Sequence, residues 1–219
     1  MVPTLDAAEA LEQARTGDIW LFRGPSRADQ AIRLLTNSPV NHVAMVVQLE
    51  DLPPLLWHTE MGRTLEDVWS GEHHRGAQLN RLDDAIAVWT GKYDQRAFVR
   101  HFDGEITREM EDALLRVVAE YEARPFPPLR RLAGKWLSGR LRRQASAQAV
   151  YCAELLAITF TRMGLLDART PANWFDPGRF WSGDRLAFLG GASLGPEFAV
   201  GPSGGPGPAP APGPSGAPA

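Results

Sequence analysis

"VNHVAMVVQ", Val40 to Gln48, is an apolar, β-favouring run that places a histidine near its start, and "AVYCAELLAITF", Ala149 to Phe160, holds the only cysteine of the chain. The fold is decided by how these two stretches are read. The first predicts a strand beginning at His42. The second predicts a largely buried helix, with Val150, Leu155, Leu156, Ile158, Phe160 and Met163 apolar and Cys152 in or near the first turn. At a helix start the exposed N–H groups and the helix dipole favour a thiolate, which predicts a lowered thiol pKa. A neighbouring imidazole would complete a pair able to attack acyl carbons. By position alone, Cys152 is equally well a small core residue.

Working outward from His42, "PLLWHTE" predicts a second strand, joined to the first around "EDLPP". A hairpin centred near Asp51 sets opposite each other residues whose numbers sum to about 102, so His42 faces Glu60 and Ala44 faces His58. Period two then puts all four on one side of the sheet. A carboxylate across from an imidazole accepts its N–H and fixes its tautomer. A slip of one residue would replace Glu60 by Thr59 or Met61.

The rest of the chain fills in around this hairpin. "LDAAEALEQA" predicts a short helix, "TGDIWLFRG" a strand and "SRADQAIRLLTN" a helix with a serine cap. Weaker strand patterns lie at "AIAVWTG" and "RAFVRHF", followed by a helix at "TREMEDALLRVVAEYEA". Clustered strands with helices on either side predict an α+β fold over residues 1–189. From Gly190 to Ala219, glycine, proline, alanine and serine dominate, which predicts a disordered tail. "GASLG" in that tail formally matches a serine nucleophile elbow at Ser193, but no strand is expected before it and no histidine follows it.

With 219 residues and 44% hydrophobic content, the chain can fill one core, and its net charge of −3 gives no general reason to expect nucleic acid. One cysteine supports neither an internal disulfide nor a cysteine-rich zinc site. The first residues carry acids and no apolar run, so neither a signal peptide nor a membrane span is expected and a cytoplasmic location is. His73 and His74 are neighbours in a polar stretch with no third ligand in view, and His101 reads as a strand-end surface residue. No metal and no cofactor are inferred.

The order "GDIWLF", "NHVAMVV", "WHTE", "ARPFPP", "YCAELL" and "TPANWFDPGRF" resembles the circularly permuted papain-like cysteine hydrolases, in the YiiX/YaeF-like branch of the NlpC superfamily, and more distantly the lecithin:retinol acyltransferase group. The match runs from about Gly17 to Phe180 and has the histidine strand ahead of the cysteine helix. It implies a small antiparallel sheet packed against helices, with Cys152 as nucleophile, His42 as base and acid, and Glu60 as third member, His58 being the alternative. Tyr151 falls on an aromatic position next to the nucleophile, whose own N–H helps to hold an oxyanion. Ala153 replaces the serine usual after the cysteine. The implied activity is hydrolysis or transfer of an acyl group from a lipid, peptide or cell-wall amide or ester through a thioester.

Between Arg124 and Arg143 lie seven basic residues and no acid, so that the remainder of a chain summing to −3 carries −10. Leu129, Leu132, Trp136, Leu137 and Leu141 share one side at helical spacing, the pattern either of an ordinary surface helix that packs its leucines on the core or of a basic interfacial helix in peripheral contact with a membrane, for which Trp136 is the expected anchor and substrate contact. The alternative for the whole chain is a non-catalytic interaction module that uses this segment to bind a partner.

Overall fold

The computed structural model describes residues 2–125, 134, 137, 138, 141, 151–181 and 186–201. A seven-stranded sheet organises them, in the order β1 (Thr4–Asp6), β7 (Ser193–Gly201), β6 (Arg96–Asp103), β2 (Ile19–Arg23), β3 (His42–Val47), β4 (Leu55–Glu60), β5 (Gly76–Arg81). Neighbours run antiparallel except β1 and β7, which are parallel. The helices are α1 (Ala7–Glu12), α2 (Arg27–Thr36), α3 (Leu82–Ile86), α4 (Arg108–Tyr121) and α5 (Cys152–Arg162). This is the mixed α and β architecture that the sequence predicts.

Alternation along the strands divides the core in two. Ile19, Leu21, Val43, Met45, Val47, Leu55 and Trp57 face α4 and α5, where they meet Leu114, Val118, Leu156 and Phe160. Trp20, Phe22, Ala44, Val46 and Leu56 face the other way, toward Ala10 of α1, Leu82 and Ala85 of α3, and Trp89. Both faces are covered, so β2, β3 and the first half of β4 are apolar almost throughout. Polar bonds fix how the helices sit: Ser26 and Asp29 form a capping box on α2, and the Trp57 indole donates to Thr159 of α5 at 3.1 Å.

Three expectations are corrected. "AIAVWTG" is no strand: α3 runs on into a π-helical turn over Ala87–Lys92, which carries Trp89 back over the sheet. β5 was not anticipated, because its buried residues include Gln78 and Asn80, which hide the usual apolar alternation. The largest correction concerns the boundary at Gly190, since Ser193–Gly201 is strand β7, lodged between β1 and β6. Its Pro196 sits where the β6 ladder shifts register between Arg100 and Phe102, so no ladder N–H is missed. Arg100 holds this irregularity from within, donating to the carbonyls of Gly195, Leu194 and Phe180 at 2.7, 2.9 and 2.7 Å. Residues 202–219 lie outside the described residues.

Candidate functional site

The hairpin has the expected register, with Met45 opposite Trp57, Val46 opposite Leu56 and Val47 opposite Leu55, and the pairing ends there. Beyond Met45 the start of β3 and the end of β4 border a cavity of about 190 Å³, lined by His42, Glu60, Trp89, Tyr93, Tyr151 and Cys152 among others. Cys152 belongs to the core on the α5 side, whereas the His42 ring packs with Phe22, His58 and Trp89 on the other. The cavity at the end of the paired strands is where the two sides meet.

Cys152 is the first residue of α5, with Tyr151 as N-cap and Glu154 accepting from the Tyr151 N–H at 3.4 Å. The backbone N–H groups of Val43, Ala153 and Cys152 itself all bear on the thiol and favour its anion. Burial outweighs them and pushes the thiol up to about 11, with Asp176 adding repulsion. The lowered pKa predicted from the helix start is thus corrected, because the loss of hydration that burial imposes on a thiolate exceeds what the N–H groups at the helix start return. The resting sulfur is a protonated thiol.

His42 is held neutral, its pKa well below the ordinary 6.5 through burial first and the charge of His58 second. Its Nε2 is buried without a hydrogen-bond partner among the described residues, and so is Oε2 of Glu60. Among the described residues no hydrogen bond joins His42 to Glu60 or to Cys152, so the carboxylate–imidazole bond expected from the hairpin is not made. Burial raises the Glu60 carboxyl while the Trp89 indole and Lys92 draw it down, so its interactions run to the π-helical turn. The Trp89 ring centroid lies 5.0 Å from that of His42 and 4.8 Å from that of His58. His58 is bonded through Nε2 to Asn80 Oδ1 at 2.6 Å, and burial lowers it to about 4.

Tyr151 reaches the cavity with its ring, while its hydroxyl is engaged by the carbonyls of Asn173 and Phe175 at 2.8 and 2.7 Å. That contact fastens the "TPANWFDPGRF" loop to the start of α5. Trp136, and most of the 124–143 segment, lie outside the described residues. Asn41 and Trp89 are contributors the sequence did not reveal. Asn41 accepts from the Gly24 N–H at 2.7 Å and donates to Asp29 at 2.9 Å, tying the residue before His42 to the start of α2. Its place beside the histidine in "NHV" was the available sign. Trp89 was hidden by the strand reading of its segment.

Away from the cavity, His74 does have further ligand-type neighbours, contrary to expectation: its Nε2 lies 3.5 Å from Asp67 Oδ2 and 3.4 Å from Glu122 Oε1. His101 is also paired, with Asp18 at 3.0 Å. Among the described residues, no helix is long and apolar enough to cross a membrane.

No protein-family model and no curated protein matches the chain. Among solved structures it is similar to the crystal structure of the metalloprotein yiiX from Escherichia coli O157:H7, with 20% identity and a TM-score of 0.47 over 69% of this chain and 67% of that one. A similarity of that degree concerns the path of the chain and extends to no residue's role.

Proposed function

We propose that the protein is a thiol-dependent acyl hydrolase or acyltransferase of the permuted papain-like kind, with Cys152 as nucleophile and His42 as the proton carrier. The observation that supports this most is the convergence of both residues, from opposite sides of the sheet, on one cavity. A neutral His42, whose Nε2 has no hydrogen-bond partner among the described residues, is a base in waiting. Thiol and imidazole both rest uncharged, so the proton moves as the bond forms: Cys152 Sγ attacks the carbonyl carbon and its proton passes to His42. The oxyanion is offered the N–H groups gathered at the sulfur, those of Val43, Cys152 and Ala153. As the carbon–heteroatom bond breaks, His42 returns the proton to the leaving nitrogen or oxygen. Water or an acceptor alcohol, deprotonated by His42, then cleaves the thioester and the proton ends on sulfur. Glu60 is kept as a positioning residue that acts through Trp89.

For the acyl class, a lipid-like chain is favoured by the apolar lining from Ile32, Leu35 and Met61 and by Leu137 and Leu141, 56% and 64% exposed in the basic segment. Incubation with p-nitrophenyl esters of short and long chains, followed by intact mass measurement, tests both points. The expected result is an acyl adduct on Cys152, formed faster with long chains, absent from Cys152→Ala and slowed about 10²- to 10⁴-fold in His42→Ala. Adduct formation at equal rates in wild type and His42→Ala would leave a reactive thiol without an enzyme, as in an interaction module.

A further inference from the structure

We propose that Asp67, His74 and Glu122 form a binding site for one divalent transition-metal ion, of zinc or manganese type, at the junction of the β4–β5 loop with the end of α4. The site is separate from the Cys152 cavity and does not rest on the reading given to it.

The three ligand-type atoms, one nitrogen and two oxygens, lie within 4.8 Å of one another. His74 Nδ1 faces the Arg75 carbonyl at 3.3 Å, an arrangement that places the ring proton on Nδ1 and leaves a lone pair on Nε2. That Nε2 is buried, has no hydrogen-bond partner among the described residues, and lies against the two carboxylates. Three lone-pair-bearing atoms therefore converge with no donor among them, and such a convergence calls for a cation.

Distance distinguishes a proton from a metal. A charged N–H···O⁻ bond is about 2.7–2.9 Å long, well short of the 3.4 and 3.5 Å found here. Ligands at about 2.0–2.2 Å from a tetrahedral zinc stand roughly 3.3–3.6 Å apart, which matches both separations. One imidazole with two carboxylates suits zinc or manganese, whereas calcium takes oxygen ligands at longer range.

The surroundings hold the ligands in place. Asp67 is fully buried, with Oδ1 accepting from the Leu79 N–H at 2.6 Å and Oδ2 from the Ser70 N–H and hydroxyl at 2.9 and 2.7 Å. The hydroxyl is the group that turns aside when Oδ2 takes a metal. Glu122 is the C-cap of α4, immediately before the Ala123 and Arg124 backbone groups that pair with Ala77 of β5. A metal here would clip the loop carrying Asp67 and His74 to α4, next to the point where the chain leaves for the basic segment.

The test is calorimetric titration of the full chain, stripped with a chelator, against Zn²⁺ and separately Mn²⁺, with thermal unfolding followed alongside. One ion per chain is expected, with a rise in Tm on binding. His74→Gln and Glu122→Gln should each remove it, while His73→Gln, at the adjacent exposed histidine, should leave it intact. Glu122 is a quarter exposed, so Glu122→Gln serves if His74→Gln does not fold. No binding by the wild type, binding that survives Glu122→Gln, or binding lost in His73→Gln would overturn the proposal. Because the readout is metal uptake, its failure says nothing of thioester formation at Cys152, and failure of the acyl adduct says nothing of the metal.

Discussion

His42 and His58 are two imidazoles with ring centroids 5.4 Å apart, His58 fully buried and His42 half-buried at the cavity, and both are kept neutral by loss of hydration. A base whose pKa falls on folding is protonated more readily in the unfolded chain, so its neutral state supports folding above the ordinary 6.5 and that support is lost as pH falls through the folded value. For His58, lowered from 6.5 to about 4, the loss amounts to roughly 3 kcal/mol. The denaturant midpoint should therefore drop between pH 7 and pH 4, and less steeply in His58→Gln; an equal slope in the two proteins would refute the assignment. Glu60 works in the opposite sense: with its pKa raised by burial, the stability it contributes is fully present below the ordinary 4.5 and is lost as pH rises from there through the folded value. In the proposed mechanism His42 must be neutral to accept the thiol proton, so the acid limb of kcat/KM should lie below pH 6.5. The residues that could carry chemistry were legible in the sequence as types in an order, and the hairpin register came from counting residues about Asp51. Their protonation was not legible, because burial decides it and burial depends on Trp89 and α5, which arrive from distant parts of the chain.

At the scale of elements, the strands that went unseen are those whose stability comes from outside their own pattern. β5 buries Gln78 and Asn80, and Asn80 is satisfied by His58 Nε2 and by the Glu66 carbonyl at 2.6 and 2.7 Å, so its polar residues are core residues in function. β7 is composed like a loop and becomes a strand because β1 and β6 flank it and Arg100 fills its irregular turn. Arg100 is 7% exposed and its three bonds go to main-chain carbonyls of two segments, β7 and the turn ending at Phe180. Removing it leaves the buried Phe180 carbonyl unpaired, at a cost of about 1–3 kcal/mol, and takes the donor from the half-buried carbonyls of Gly195 and Leu194. Arg100→Met should lower stability by about 2–4 kcal/mol, and Arg100→Lys should recover only part, since one ammonium cannot reproduce the planar fork. Denaturant unfolding of the two variants decides it; a change under about 0.5 kcal/mol in Arg100→Met would show that β7 does not depend on this clamp.

Over the whole molecule, the sheet separates two cores and the cavity forms where the pairing of its central hairpin stops. The order of the strands sets that hairpin apart from the chain's last strand: β7 lies beyond β6 and β2, and its position between β1 and β6 closes that side of the sheet. Composition alone divides the chain at Gly190, but the division that matters to stability lies after Gly201, the last residue paired with β1. Phe198 and Val200 pack on the α1–α3 core and Leu194 and Ala199 on the other, so removal of β7 uncovers both. Two truncations separate these views. Deleting residues 203–219 should leave the denaturant midpoint unchanged to within about 0.5 kcal/mol, because what is lost there is glycine, proline, alanine and serine with no large apolar side chain. Deleting residues 190–219 should destabilise by several times that, since it strips β1 of its partner and leaves the ladder edge of β6 open to solvent. Equal stability of the two truncated proteins would place β7 outside the folded unit and return the boundary to Gly190.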